Sequence, residues 1–130
     1  MATGIAASQY NAWLDAFCRS VAYSDPASFN VKLHIGDPGA AGASNAAGNT
    51  TRKVATFSAA SAGSITTSAA LDWTSVSTTE TYTHVSFWSD IAAATFLGSD
   101  ALELPRAVTA GQNFSLAAGD IVISLAPLAA

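Results

Sequence analysis

An alternation of apolar and polar side chains with a period of two constrains the fold of this chain most. It runs through most of the sequence beyond residue 28, in short segments separated by Gly, Pro, Asp and Ser. Because successive side chains of a strand point to opposite faces, the alternation predicts strands with one face toward a core. About eight such segments follow one another, which is typical of an antiparallel β-sandwich or a jelly-roll-like barrel.

Two of these segments carry additional information. The segment 81–88 has bulky side chains on both faces, which predicts a central or doubly covered strand. The segment 102–108 contains Pro105, which cannot donate a ladder hydrogen bond and therefore indicates a sheet edge or a bulge.

The beginning of the chain has a helical rather than an alternating period. Apolar side chains with this spacing form one stripe: Tyr10, Trp13, Leu14, Phe17 and Val21. Asp25 precedes Pro26, and a residue before proline is driven out of the helical conformation. We therefore predict one domain, 1–130, with a helix at about 5–23 and a β-domain at about 29–126. The stripe packs either on its own sheet or on a neighbouring subunit.

The segment 36–51 lies between the first two predicted strands and contains no large apolar side chain. Its Gly, Ala, Ser and Asn composition predicts a loop, and a loop of this length in a compact domain is usually functional or a contact arm. The loop begins with Asp37-Pro38-Gly39. This triplet favours a turn, because Asp accepts backbone hydrogen bonds, Pro fixes φ and Gly tolerates positive φ.

The charge content limits the classes of partner. Charged residues make up 11% of the 130 residues and the net charge is −4, whereas an average domain has roughly 25% charged residues. The five basic residues are dispersed, so the chain lacks the basic face that binds phosphates and the cationic pattern of a membrane-surface protein. So few charges indicate a surface that other copies or a scaffold cover.

Cys18 is the only cysteine, which excludes an internal disulfide. It falls within the helical pattern, so we expect it to be a small buried hydrophobic residue. The chain begins with no basic segment followed by an apolar one, and no apolar run is long enough to span a bilayer. We expect synthesis in a cytoplasm.

The sequence contains no catalytic or phosphate-binding motif such as G-x-S-x-G, a P-loop or G-x-G-x-x-G. The two histidines, His34 and His84, lie in predicted strands. They would meet if those strands pair, and Asp37 or Asp90 could join them in a metal site or a His–Asp pair. Because their spacing matches no metal motif, we expect structural or solvent-facing histidines, with no catalytic residue, cofactor or metal.

A carbohydrate site is the alternative that the aromatic residues raise. Tyr82, His84 and Trp88 would share one strand face and could form a stacking platform for sugars. The competing interpretation, which we favour, is that this face lies under the N-terminal helix, where Trp13 and Phe17 need a partner.

Several stretches together carry a family resemblance. They are residues 31–42 (VKLHIGDPGAAG), 52–61 (RKVATFSAAS), 83–90 (THVSFWSD), 108–114 (VTAGQNF) and 118–125 (AGDIVISL). In this order they resemble small virion proteins of tailed bacteriophages, especially phages of actinobacterial hosts. Members of this group are labelled capsid decoration proteins, minor tail proteins or tail-fibre-like proteins, and the resemblance covers nearly the whole chain.

The resemblance implies a non-enzymatic virion structural protein made in the bacterial cytoplasm. The first expectation is a decoration protein on the capsid exterior that stabilises the shell. Its partners would be the major capsid protein and copies of itself, as a trimer or other cyclic oligomer. The alternatives are a minor tail or tail-fibre-associated subunit and a carbohydrate-binding module for host attachment. The predicted partner contacts are Asp37, Pro38, Asn45, Asn49, Arg52, Trp13 and Phe17.

Overall fold

The structure, a computed structural model, describes residues 4–91 and 94–125. The elements of these residues follow the order β1 (Gly4–Ile5), α1 (Ala7–Arg19), β2 (Asn30–His34), β3 (Lys53–Val54), β4 (Ser64–Thr66), β5 (Leu71–Trp73), β6 (Glu80–Trp88), β7 (Phe96–Val108), β8 (Phe114–Leu116) and β9 (Val122–Ser124). The predicted mainly β fold with one N-terminal helix is confirmed. The predicted domain ends, 1–3 and 126–130, lie outside the described residues.

The strands form one five-stranded antiparallel sheet in the order β1-β7-β6-β2-β3, and two ribbons, β4-β9 and β5-β8. No barrel closes among the described strands. Strand β6 is central, as its two bulky faces predict. Residues 64–73 contain two separate strands, β4 and β5, and the predicted segment 102–108 is the second half of the single long strand β7.

Pro105 lies in an irregular part of β7, as predicted. Tyr82 pairs with Arg106 and His84 pairs with Ala101, so one residue of β6 faces four residues of β7 between these pairs. The additional residues form a bulge, where a proline removes no ladder hydrogen bond.

The hydrophobic core lies on one face of the five-stranded sheet. Val31 and Leu33 of β2 are cross-strand partners of Phe87 and Val85 of β6, and all four side chains are buried. They form one cluster with buried side chains of the β5-β8 ribbon and the segment after it: Leu71, Trp73, Phe114, Leu116 and Ile121. The ribbons thus cover this face of the sheet, which gives the sandwich-like layering that the alternation predicts.

Helix α1 is shorter than the predicted 5–23. Before it, Gly4 and Ile5 pair with β7, and the Ala6 N–H donates to the Leu97 carbonyl over 2.8 Å. After it, Ser20 adopts the left-handed conformation with φ 57° and its N–H bonds the Asp15 carbonyl, which ends the helix before Pro26 is reached. No helix in the described part of the chain has the length and apolarity to cross a membrane.

Candidate interface surfaces

The loop between β2 and β3 folds back over the face of the sheet opposite the core. An isolated bridge between His34 and Ala46 brings the returning chain alongside β2. Gly42 is buried, and a Cβ atom there would collide with the ring of Phe96 and come within 3.0 Å of Trp88 Cζ2. The loop therefore packs on its own sheet at Gly42, while Ala40, Ala41 and Ala43 stay exposed, and a role of the loop as a contact arm stays a prediction.

A buried histidine holds the loop in this position. His34 is 0% exposed, with Nδ1 2.9 Å from the Ser44 carbonyl oxygen and Nε2 2.7 Å from Ser86 Oγ. Because a carbonyl only accepts, Nδ1 carries the hydrogen and Nε2 accepts from the Ser86 hydroxyl. Trp88 Nε1 in turn donates to Ser86 Oγ over 2.7 Å. One chain of hydrogen bonds thus runs from Trp88 through Ser86 and His34 to the loop.

Burial lowers the pKa of His34, and the charge of Lys32 lowers it further, against hydrogen bonds from the loop backbone that raise it. The neutral imidazole that this direction favours is the form that accepts from Ser86. His34 therefore acts as a structural connection between strand and loop.

The two histidines do meet, since His34 and His84 are cross-strand partners. His84 Nδ1 lies 2.9 Å from Thr83 Oγ1. The Asp37 carboxylate accepts the Gly39 N–H over 2.8 Å, and the Asp90 carboxylate accepts the N–H of the following residue over 2.6 Å. Within residues 4–91 and 94–125, no three His, Cys, Asp or Glu side chains lie close enough to hold one metal ion.

Four of the predicted partner contacts shape the loop from within. Asp37 closes the predicted turn by accepting the N–H two residues later, and Pro38 is fully buried. Asn45 Nδ2 donates to the Asp37 carbonyl over 2.8 Å, and Asn49 Oδ1 accepts the Thr51 N–H over 3.1 Å. The turn prediction is confirmed, and these polar groups are already engaged within the chain.

Arg52, the fifth predicted contact of the loop, lies over an aromatic ring of its own chain. Its guanidinium carbon is 4.3 Å from the Trp88 ring centroid, a cation–π arrangement, and Nη1 is 3.4 Å from the Asp90 carbonyl. Arg52 also contributes to the lowered pKa of Lys32, after burial of that amine as the larger cause. The exposed side of Trp88 is therefore covered in cis.

The predicted aromatic platform does not form. Tyr82 is 0% exposed, and its ring centroid lies 4.9 Å from that of Phe114 in the core. The cause is the register shift between Tyr82 and His84, which interrupts the alternation of β6. The competing interpretation is also wrong, because the helix does not cover this face: Trp13 stacks edge-on with Tyr10 at 5.7 Å and Tyr23 at 6.5 Å.

The inner side of α1 borders an apolar groove of about 330 Å³. Trp13, the sixth predicted contact, lies half-buried in its wall, together with apolar side chains from strands and loops: Tyr23, Phe29, Phe57, Ile65, Leu97 and Ile123. The Tyr23 hydroxyl donates to Gln9 Oε1 over 3.1 Å and ties the segment after the helix to its first turns. The helix therefore rests on the molecule through a few contacts along this groove.

The outer side of α1 is an exposed apolar surface. It consists of Ala7, Tyr10, Leu14 and Phe17, which we call the outer stripe. Leu14 is 58% exposed and Phe17, the seventh predicted contact, is 90% exposed. Cys18 beside it is also exposed, so the prediction of a buried cysteine is wrong. Tyr10 and Leu14 were missing from the predicted contacts, although the spacing of apolar residues already placed them in the stripe.

These features define a small antiparallel β protein whose N-terminal helix presents apolar side chains to its surroundings. A family model described as podophage GP4 fiber I protein gp80 matches residues 4–124. The chain belongs to this family, and is a fibre-type structural protein associated with the phage virion. The resemblance to phage virion proteins is thereby confirmed. A comparison with curated proteins gave no match.

Proposed function

We propose that this protein is a non-enzymatic subunit of a tail fibre, or of the region where fibres join the virion. The observation that carries the proposal is the fibre family match, which extends from β1 to β9 and thus includes both the sheet and the helix. The exposed outer stripe supports it, because apolar side chains at a protein surface are typical of sites that a partner covers.

Within the virion, we propose that the protein assembles with copies of itself and with another structural protein. The helix is the better candidate for these contacts, because the loop residues Asp37, Pro38, Asn45 and Asn49 are engaged within the chain. The hydrogen bonds of the buried His34 imidazole to Ser44 and Ser86 support a structural role for this histidine. Neither a cofactor nor a nucleic acid is part of the proposal.

The resemblance in the sequence gave capsid decoration as the first expectation and a fibre-associated subunit as the alternative. The description of the matching family favours the alternative. Decoration of the capsid exterior through the major capsid protein, and an actinobacterial host, stay predictions from the resemblance.

The copy number of the protein in purified virions tests the proposal. Quantitative mass spectrometry would compare it with the major capsid protein and with a tail protein of known stoichiometry. A fibre subunit should be present at a small fraction of the capsid protein, because a tail offers far fewer equivalent positions than a shell. A copy number comparable to that of the capsid protein would overturn the proposal in favour of shell decoration. Gold-labelled antibodies should mark the tail.

A further inference from the structure

We infer that the outer stripe of α1 packs against the outer stripe of a second copy of this chain, as a short helix–helix contact. This helix contact would be one of the contacts between copies that the proposed function requires, and it rests on that proposal. It is carried by the spacing, the exposure and the charge of the helix.

The spacing is that of a coiled-coil contact line. Ala7, Tyr10, Leu14 and Phe17 follow one another at intervals of three, four and three residues. Apolar residues with this alternation of three and four lie along one line of a helix, where they interlock with the same line of a facing helix. The half-buried positions Gln9 and Trp13 face the groove instead. Tyr10 lies at the border of the stripe, because its ring contacts Trp13 and lines a cavity with Val122 and Ile123. Leu14 and Phe17 form the most exposed part of the stripe.

The helix also lacks the support that normally stabilises a helix of its length. Across Ala7–Arg19, all of which the structure describes, no side chain is buried, and Ala6 supplies no side-chain cap at the N-terminus. Helices shorter than about 12 to 15 residues are marginal in water without tertiary packing. A partner on the exposed side would supply that packing.

The charges favour an identical helix over a charged partner. Asp15 and Arg19 form an ion pair with each other over 2.9 Å and leave the helix without a net charge. The positions that flank the stripe are uncharged: Asn11, Trp13 and Cys18. Two copies can therefore approach without like charges meeting at the contact line, and there is no charge on it for an acidic or basic partner to pair with.

The size of the stripe predicts a weak contact. A buried aromatic side chain removes about 150 to 250 Å² from water. Because Tyr10 is already mostly covered within its own chain, the stripe offers at most roughly 400 Å² per copy. A standard stable interface buries about 800 Å² per partner. We therefore expect concentration-dependent association in the micromolar range or weaker for the free protein. On a virion, copies are held close together, and their high effective concentration allows such a weak contact to form.

Sedimentation velocity of the full chain over a wide concentration range tests the inference. The wild-type protein should shift from monomer toward larger species as its concentration rises. The double variant Leu14→Ser, Phe17→Ser should stay monomeric to at least tenfold higher concentration. Leu104→Ser is the matched control, because Leu104 is an exposed leucine outside the helix, at 67% compared with 58% for Leu14. It should associate like wild type.

The native cysteine gives a second measurement on the unaltered protein. Because Cys18 is the only cysteine and lies on the exposed helix, a flexible bismaleimide joins two chains only through this position. Covalent dimers should form readily in wild type and at least tenfold more slowly in the double variant, which retains Cys18. Far-UV circular dichroism would verify that the sheet of each variant is folded.

A wild-type protein that stays monomeric up to millimolar concentration would overturn the inference. So would equal association of wild type and the double variant, or loss of association in Leu104→Ser alone. These outcomes concern only the helix contact and leave the copy number in virions unaffected. A shell-like copy number together with stripe-dependent association would instead overturn the fibre location and retain the contact.

Discussion

The loop 36–52 and helix α1 occupy the opposite environments from those that their compositions suggest. The loop is made of small and polar residues, yet Pro38 and Gly42 in its first half are buried, and Gly42 lies against two aromatic rings. The helix carries an apolar stripe, yet Phe17 is almost fully exposed. Burial in this protein therefore depends on which partner groups the fold supplies, and not on hydrophobicity alone.

The partner groups explain the difference. A buried imidazole donates a hydrogen bond to the Ser44 carbonyl of the loop, and the backbone at Gly42 can approach two aromatic rings closely. The helix packs its inner side along a narrow groove, and within residues 4–91 and 94–125 its outer positions Leu14 and Phe17 stay mostly exposed. The first region packs within its own chain, whereas the second presents an apolar surface for which we propose a partner.

We expect the substitution that disrupts the loop packing at Gly42 to destabilise the protein most. Gly42→Ala should destabilise the protein by about 2 to 4 kcal/mol, because the new methyl group overlaps the Phe96 ring and φ is +69°. Gly111→Ala is the matched control, since φ is +89° but no atom lies within 4 Å of the added Cβ. It should cost only about 1 to 2 kcal/mol from backbone strain. Urea unfolding would measure both values.

Equal destabilisation by the two glycine substitutions would show that backbone conformation alone matters. The loop would then not depend on close contact with the rings, and its packing over the sheet would be dispensable for stability. At Gly42, the packed loop would then contribute no more to stability than the exposed helix surface.

The next effect concerns His34 and depends on pH. At pH 7.5, His34→Gln should cost about 1 to 3 kcal/mol, because it disturbs buried hydrogen bonds to Ser44 and Ser86. Burial lowers the pKa of His34 in the folded protein, so below about pH 6.5 the unfolded chain binds a proton that the folded chain does not. The His34 contribution is therefore complete above this pH and is lost as the pH falls toward the folded-state pKa.

Unfolding at pH 7.5 and pH 5.5 checks this sign. The gap in unfolding free energy between wild type and His34→Gln should narrow at the lower pH. Burial raises the pKa of Asp100, which gives the opposite dependence at acidic pH, but this contribution is common to both proteins and cancels in the difference. A gap that is the same at both pH values would contradict a neutral buried imidazole.

The sequence predicts the elements of this fold better than their arrangement. Period-two alternation located most strands, and bulky residues on both faces of 81–88 correctly indicated a central strand. The turn at Asp37 followed from the chemistry of its three residues. These features depend on neighbours in the chain, which the sequence displays directly.

The predictions from the sequence are wrong where residues distant in the chain determine the local structure. The shift between Tyr82 and His84 results from four residues of β7 opposing one of β6, so the alternation of β6 alone predicted the wrong face for Tyr82. The helix ends at Arg19 because Ser20 takes a left-handed conformation that serine seldom adopts. The burial of the loop depends on Ser86 and Trp88, about 40 residues away, and no local signal in the loop reveals them.

Substitution of one arginine in each region should change the unfolding free energy least. Arg52→Ala should destabilise the protein by about 0.5 to 1 kcal/mol, because the guanidinium lies over the partly buried Trp88 ring and closes the end of the loop. Arg19→Ala removes an exposed ion pair within the helix and should cost only about 0.3 to 0.5 kcal/mol. Urea unfolding at low protein concentration, where the chain is monomeric, would measure the two changes.

Salt and a conservative substitution separate the two kinds of contact. The effect of Arg19→Ala should shrink in high salt, since exposed ion pairs are screened, whereas the effect of Arg52→Ala should persist. Arg52→Lys keeps the charge but loses the planar group that stacks on the ring, so it should retain only part of the stabilisation. If Arg52→Ala had no effect, or lost its effect in salt as Arg19→Ala does, the end of the loop would be held no more firmly than the helix surface. Only the packing of Gly42 and the hydrogen bonds of His34 would then distinguish the loop from the helix.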